Sequence, residues 1–96
     1  MEFKHSPAPW VAVINTDLDL PGGLIKSGDK SIAHTLQKAI GAEQARANAH
    51  LIAAAPELLE ALIEMQRNGR KQGWDNKYES SMEKTRLAIA KALGQQ

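Results

Sequence analysis

The amino-acid sequence predicts an α+β fold: a short N-terminal antiparallel β-meander packed against two or three α-helices. Two contrasting patterns carry that expectation. The front third holds short runs with β-branched residues, split by Gly, Pro and Asp. From Gly41 onward the chain is rich in Ala, Leu and Glu, with apolar residues recurring at helical spacing.

Each element has a local reason. Residues 1–9 read as an extended lead-in, because Pro7 and Pro9 fix their own φ and push Ser6 and Ala8 toward extended conformations. Trp10 to Asn15, WVAVIN, is apolar and β-branched, which predicts a strand opened by the main aromatic of the core. Asp17 to Gly23 reads as a turn, with Pro21, Gly22 and Gly23 as breakers. Leu24 to Ser27 is a short second strand. Gly28 to Lys30 is a second turn. Ser31 to Leu36 alternates as a third strand, with a helix start as the alternative. Three such strands with one apolar face need a helix to cover them.

The helical part begins near Gly41, with pieces over Glu43–Ala54 and Pro56–Arg67. Leu51, Ala55, Leu58, Leu62 and Met65 follow one another at alternating spacings of four and three, which is one stripe of a helix. Pro56 marks either a kink in one helix or the first turn of a new one. Asn68 and Gly69 are expected to stop this segment, and residues 69–79 to form a polar loop. Ser80, with Glu83 three residues on, reads as a capping box for a last helix ending near Leu93. Met82, Thr85, Ile89 and Leu93 form its core stripe. The expected layout is one small domain over 1–96: lead-in 1–9, meander 10–36, kinked helix or helix pair 41–68, C-terminal helix 80–93.

Composition narrows the function classes. The chain has 96 residues, 43% of them hydrophobic but only 4% aromatic, so the core must come from Leu, Ile, Val and Ala. Alanine-rich helices bury little area each, and a small domain gains from self-association. The stripe of Leu51, Leu58, Leu62 and Met65 is therefore expected to serve as core or as a homo-oligomer contact. Cysteine is absent, which excludes disulfides and thiolate metal sites. A net charge of +1 supplies no global field toward nucleic acid or anionic membrane. No apolar run approaches the ~20 residues that span a bilayer, and the N-terminus lacks the apolar centre of a signal peptide.

No motif spells out a reaction. His5, His34 and His50 lie far apart in the sequence, unlike the close pairs of zinc sites. Asp17, Asp19 and Asp29 lack the Gly and distant Glu of an EF-hand loop. No serine stands in a G-x-S-x-G elbow, and Gly22, Gly23 and Gly28 are too few for a phosphate loop. No catalytic residue, metal or cofactor is expected. The best exposed candidate is the segment around Arg67, Arg70, Lys71, Trp74, Lys77 and Tyr78, where basic side chains interleave with aromatics. Such a set can clamp phosphates and stack on bases, or simply form a solvated loop whose aromatics fold back.

Two segments carry a resemblance: His5 to Trp10, HSPAPW, and Asn48 to Leu62, NAHLIAAAPELLEAL. They resemble the H-[ST]-P-x-P-W element and the N-A-[RH]-L-I-A-A-A-P-E-L-L-E-A-L helix of a group of small accessory proteins of tailed bacteriophages and prophages. The resemblance implies a phage accessory protein in the bacterial host cytoplasm and supplies no catalytic residues. It leads to the expectation of a non-enzymatic protein that blocks a host defence factor or sequesters a small nucleotide signal. The alternatives are a nucleic-acid-associated regulator using the 67–78 segment, and a structural subunit of a larger assembly.

Overall fold

A computed structural model describes residues 4–15, 22–36 and 40–95. Strands β1 (Trp10–Asn15), β2 (Gly22–Ser27) and β3 (Lys30–Leu36) form an antiparallel sheet in the order β1-β2-β3. Helices α1 (Ala42–Ala53), α2 (Ala55–Lys71), α3 (Trp74–Lys77) and α4 (Glu79–Ala92) follow. The architecture is α+β, as the sequence predicts. The described residues fall into two compact units, one over 4–57 and one over 58–95.

In the first unit α1 lies across β2, with β1 and β3 to either side. The contact is built for close approach. Ile25, Ala45 and Ala49 are fully buried. A Cβ on Gly23 would run into the Ala49 methyl and come within 2.9 Å of Thr35 Oγ1. Gly23 therefore belongs to β2 and is no breaker. It is the bare backbone patch on which the helix rests. Thr35 completes the joint. Its hydroxyl accepts from the Gly23 N–H at 3.0 Å and donates to the Ala45 carbonyl at 2.6 Å.

The same pairing fixes the sheet's faces, because directly opposed residues share a side. Ala12 pairs with Ile25, and Ile14 with Gly23, so these face α1. Val11 pairs with Lys26, and Val13 with Leu24, so these face away. β3 carries one extra residue, Ile32, between the partners of Ile25 and Lys26.

Trp10 departs from its expected role as the main core aromatic. It is half-buried and holds the lead-in. Its indole N–H donates to the Ser6 carbonyl at 3.0 Å, and its ring meets His5 edge-on at 5.8 Å. The Ser27 hydroxyl fastens the same lead-in by donating to the Pro7 carbonyl at 2.6 Å. The short polar lead-in thus gains a partner, where a deeply buried indole would have needed one inside the core. The expected turn over Asp17–Gly23 lies largely outside the described residues.

The helices resolve the Pro56 alternatives. Pro56 is the second residue of α2, where a missing N–H costs no helical bond, and Ala54 alone separates α2 from α1. Two helices result. Asn68 and Gly69 do not stop α2. Gly69 is buried within it, and the Trp74 ring lies where a Cβ would sit, its Cε3 at 2.5 Å. The glycine that ends the segment is Gly73, in the left-handed conformation at φ 77. The expected polar loop is consequently a helix end, a tight turn at Gln72–Gly73 and the short α3.

Ser80 does not cap α4. The helix starts at Glu79, Tyr78 is its N-cap, and no side chain caps it. Glu83 turns instead to Arg86, which donates to it through Nε at 3.0 Å and through a second guanidinium nitrogen. This hydrogen bond holds the Glu83 carboxyl below its ordinary value and raises the Arg86 guanidinium. The interior of the second unit has Met82 and Ile89 as its most buried side chains, each 8% exposed, with Thr85 and Leu93 half-buried along the predicted stripe.

Two outcomes follow for this architecture. Gly23→Ala should cost about 1–3 kcal/mol by overpacking, and Thr35→Val about 1–3 kcal/mol by leaving the Gly23 N–H unpaired, both measured by urea unfolding. A Gly23→Ala variant as stable as the wild type would show that α1 is free to back away. Glu83 has a depressed folded pKa, so its contribution is present above the ordinary glutamate range and fades as pH falls through the folded value. A carboxyl carbon titration by NMR should show this depression, and Arg86→Gln should abolish it.

Candidate functional site

The second unit contains a cavity of about 480 Å³. Three helices build it. Leu62, Met65 and Gln66 come from one face of α2, being spaced i, i+3, i+4. Trp74 opens α3 and Tyr78 closes it. Ser81, Met82 and Thr85 come from α4. The lining has no carboxylate and no basic side chain, so the space suits an apolar group. The volume lies within the usual range for small-ligand pockets, about 300–1,000 Å³.

Its aromatic wall is packed from two sides. Trp74 and Tyr78 meet edge to face, with centroids 5.8 Å apart and planes at 88°. Trp74 is also seated against the bare Cα of Gly69. The Thr85 hydroxyl donates back to the Ser81 carbonyl at 2.8 Å and so is satisfied within α4. Gln66 is the exception. Its amide nitrogen is buried and has no hydrogen-bond partner. A buried unpaired donor costs about 1–3 kcal/mol.

The sequence-predicted site residues divide into three groups. Trp74 and Tyr78 line the cavity. Arg70 and Lys77 stand near it but are engaged within the chain: Arg70 Nε lies 3.8 Å from Asp75, and the Lys77 ammonium sits 5.5 Å from the Tyr78 ring centroid. Arg67 and Lys71 are exposed on α2 and do not line the cavity. The apolar stripe is divided as well. Leu62 and Met65 reach the cavity, whereas Leu51 and Leu58 do not, and they are 64% and 54% exposed. Within one chain the stripe is mainly a surface.

Sequence reasoning missed Gln66 and Ser81. The signal for Gln66 was present, since it stands four residues after Leu62 and shares its face. Its polarity removed it from a search for apolar periodicity. Among the described residues, no group of three or more His, Cys, Asp or Glu could hold a metal ion, and no helix is long and apolar enough to cross a membrane.

A family model described as Salmonella phage P22 protein Y8K6 matches the chain over residues 1–96. The chain belongs to that family. The phage resemblance drawn from His5–Trp10 and Asn48–Leu62 therefore holds at the level of a phage protein family. No curated protein and no solved structure in the comparisons matches the chain. The cavity and the exposed stripe are thus features of this phage family member read from its own geometry.

Gln66→Leu should leave stability unchanged or raise it by up to about 1–3 kcal/mol, because it removes an unpaired buried donor. Met82→Ala should lower stability by about 2–5 kcal/mol. Thermal unfolding of both variants checks this. A strongly destabilised Gln66→Leu would show that the amide has a partner that organises the cavity.

Proposed function

We propose that this phage-family chain is a non-enzymatic accessory protein that acts in the bacterial host cytoplasm by binding and blocking a host defence factor. The observation that carries the reading is the apolar, uncharged cavity between α2, α3 and α4, with exposed Met65 on its lining. A concave apolar pocket beside an exposed helix face suits an anchor side chain of a protein partner. Membership in a phage family supports the setting. Sequestering a small nucleotide signal is the second reading. It is supported by Arg67 and Lys71, whose exposed cationic side chains on α2 suit a phosphate.

A nucleic-acid regulator is less well supported. Arg70 and Lys77 have partners within the chain, and the Trp74 ring is half-buried and packed edge to face with Tyr78. A +1 chain adds no long-range attraction to a strand.

The test is a plating assay of a restricted phage on defence-carrying cells that express the chain, paired with affinity measurement against the purified defence protein. Expression should raise plating. Met65→Asp and Tyr78→Ala should each weaken binding by about 2 kcal/mol or more while leaving the fold intact. Rescue of plating with no protein bound, together with a nucleotide that raises the unfolding temperature, would favour the signal-sequestering reading. Tight binding to random duplex with a steep salt dependence would contradict both.

A further inference from the structure

The geometry points to the free edge of β1 as a self-pairing surface: two copies of this chain join β1 to β1 antiparallel and make one six-stranded sheet. β1 is an edge strand, since the sheet order is β1-β2-β3. No backbone hydrogen bond among the described residues, outside the sheet's own ladder, involves Trp10–Asn15. An edge of this kind is a template for another strand. Proteins usually blunt such edges with charge, proline or a bulge. β1 has none of these. Its six residues, WVAVIN, contain no ionisable side chain and no proline, and its pairing with β2 is regular.

The occupant is a second copy for three reasons. An uncharged strand can face itself without opposing like charges, which any charged edge would do about a twofold axis. The pleat also allows it. Antiparallel self-pairing keeps both faces continuous only in registers centred on a residue, and the two that pair the most of β1 are centred on Ala12 or Val13. Centred on Ala12, Val11 lies opposite Val13 of the second copy; centred on Val13, the two Val13 residues face each other. Val11 and Val13, 53% and 45% exposed and turned away from α1, would then meet as cross-strand valines. Finally, the sheet unit is thin. Among the described residues its fully buried apolar side chains are Ile25, Ala45 and Ala49, so a doubled sheet adds burial to a small core.

The opposite edge explains why association stops at two. β3 begins with Lys30 and carries the extra residue Ile32, so its ladder is irregular. A charged, bulged edge resists further strand addition. This dimer uses the sheet and is separate from the helical stripe.

Sedimentation velocity on the full chain should show a dimer, and the double variant V11K/V13K should sediment as a monomer across the same concentrations with unchanged circular dichroism. Leu58→Asp, on the helical stripe, should remain dimeric. Isotope-filtered NOEs in a mixed labelled and unlabelled sample should connect β1 valine methyls between copies without any substitution. A wild-type monomer at several hundred micromolar would overturn the inference. So would a dimer that survives V11K/V13K or lacks those NOEs.

Discussion

The Thr35 hydroxyl and the bare backbone of Gly23 together set how closely α1 can lie on the sheet. One oxygen accepts from a strand N–H and donates to a helix carbonyl, at 3.0 and 2.6 Å. The helix can come near enough for this only because residue 23 has no side chain and residues 45 and 49 have only methyl groups. The sheet's two faces follow from that contact. With Gly23 and Ile25 turned toward α1, the pleat turns Val11, Val13 and Leu24 the other way. The covered face is small-residue and tight, and the other face is left with its valines outward.

The helical unit solves a different problem with the same device. Gly69 lets the Trp74 ring approach α2, as Gly23 lets α1 approach β2. The seated indole then meets Tyr78 edge to face, and the pair forms one wall of the cavity that Leu62, Met65 and Met82 complete. Buried glycines thus place the features on which both the fold and the candidate site rest. The family match places the chain in a phage protein family, and the cavity's lining is apolar and uncharged.

Much of this was legible in the sequence. The bounds of β1 follow from an unbroken apolar, β-branched run, and the helical regions follow from periodicity. What was misjudged was the meaning of glycine. Gly23 and Gly69 read as breakers because local propensity is all that a single sequence displays, and their true role depends on Thr35, Ala49 and Trp74, which lie far along the chain or beyond a turn. Ser80 and Glu83 matched a capping pattern, but Arg86 offered the carboxylate a two-pronged partner one turn away. The cavity was half visible. Its apolar and aromatic members stood out by spacing and type, while Gln66 shares the face of Leu62 but is polar, and Ser81 carries no sequence signal for lining an apolar space.

The dependence of the fold on the Gly23 contact is most directly measured by a double-mutant cycle between Gly23→Ala and Ala49→Gly. Glycine within α1 alone should cost about 1 kcal/mol. If the added methyl at 23 is rejected by the methyl at 49, the double variant should be more stable than Gly23→Ala alone, which requires a coupling larger than the cost of Ala49→Gly itself. Additive losses, with the double variant the least stable of the set, would contradict the close contact of α1 with β2.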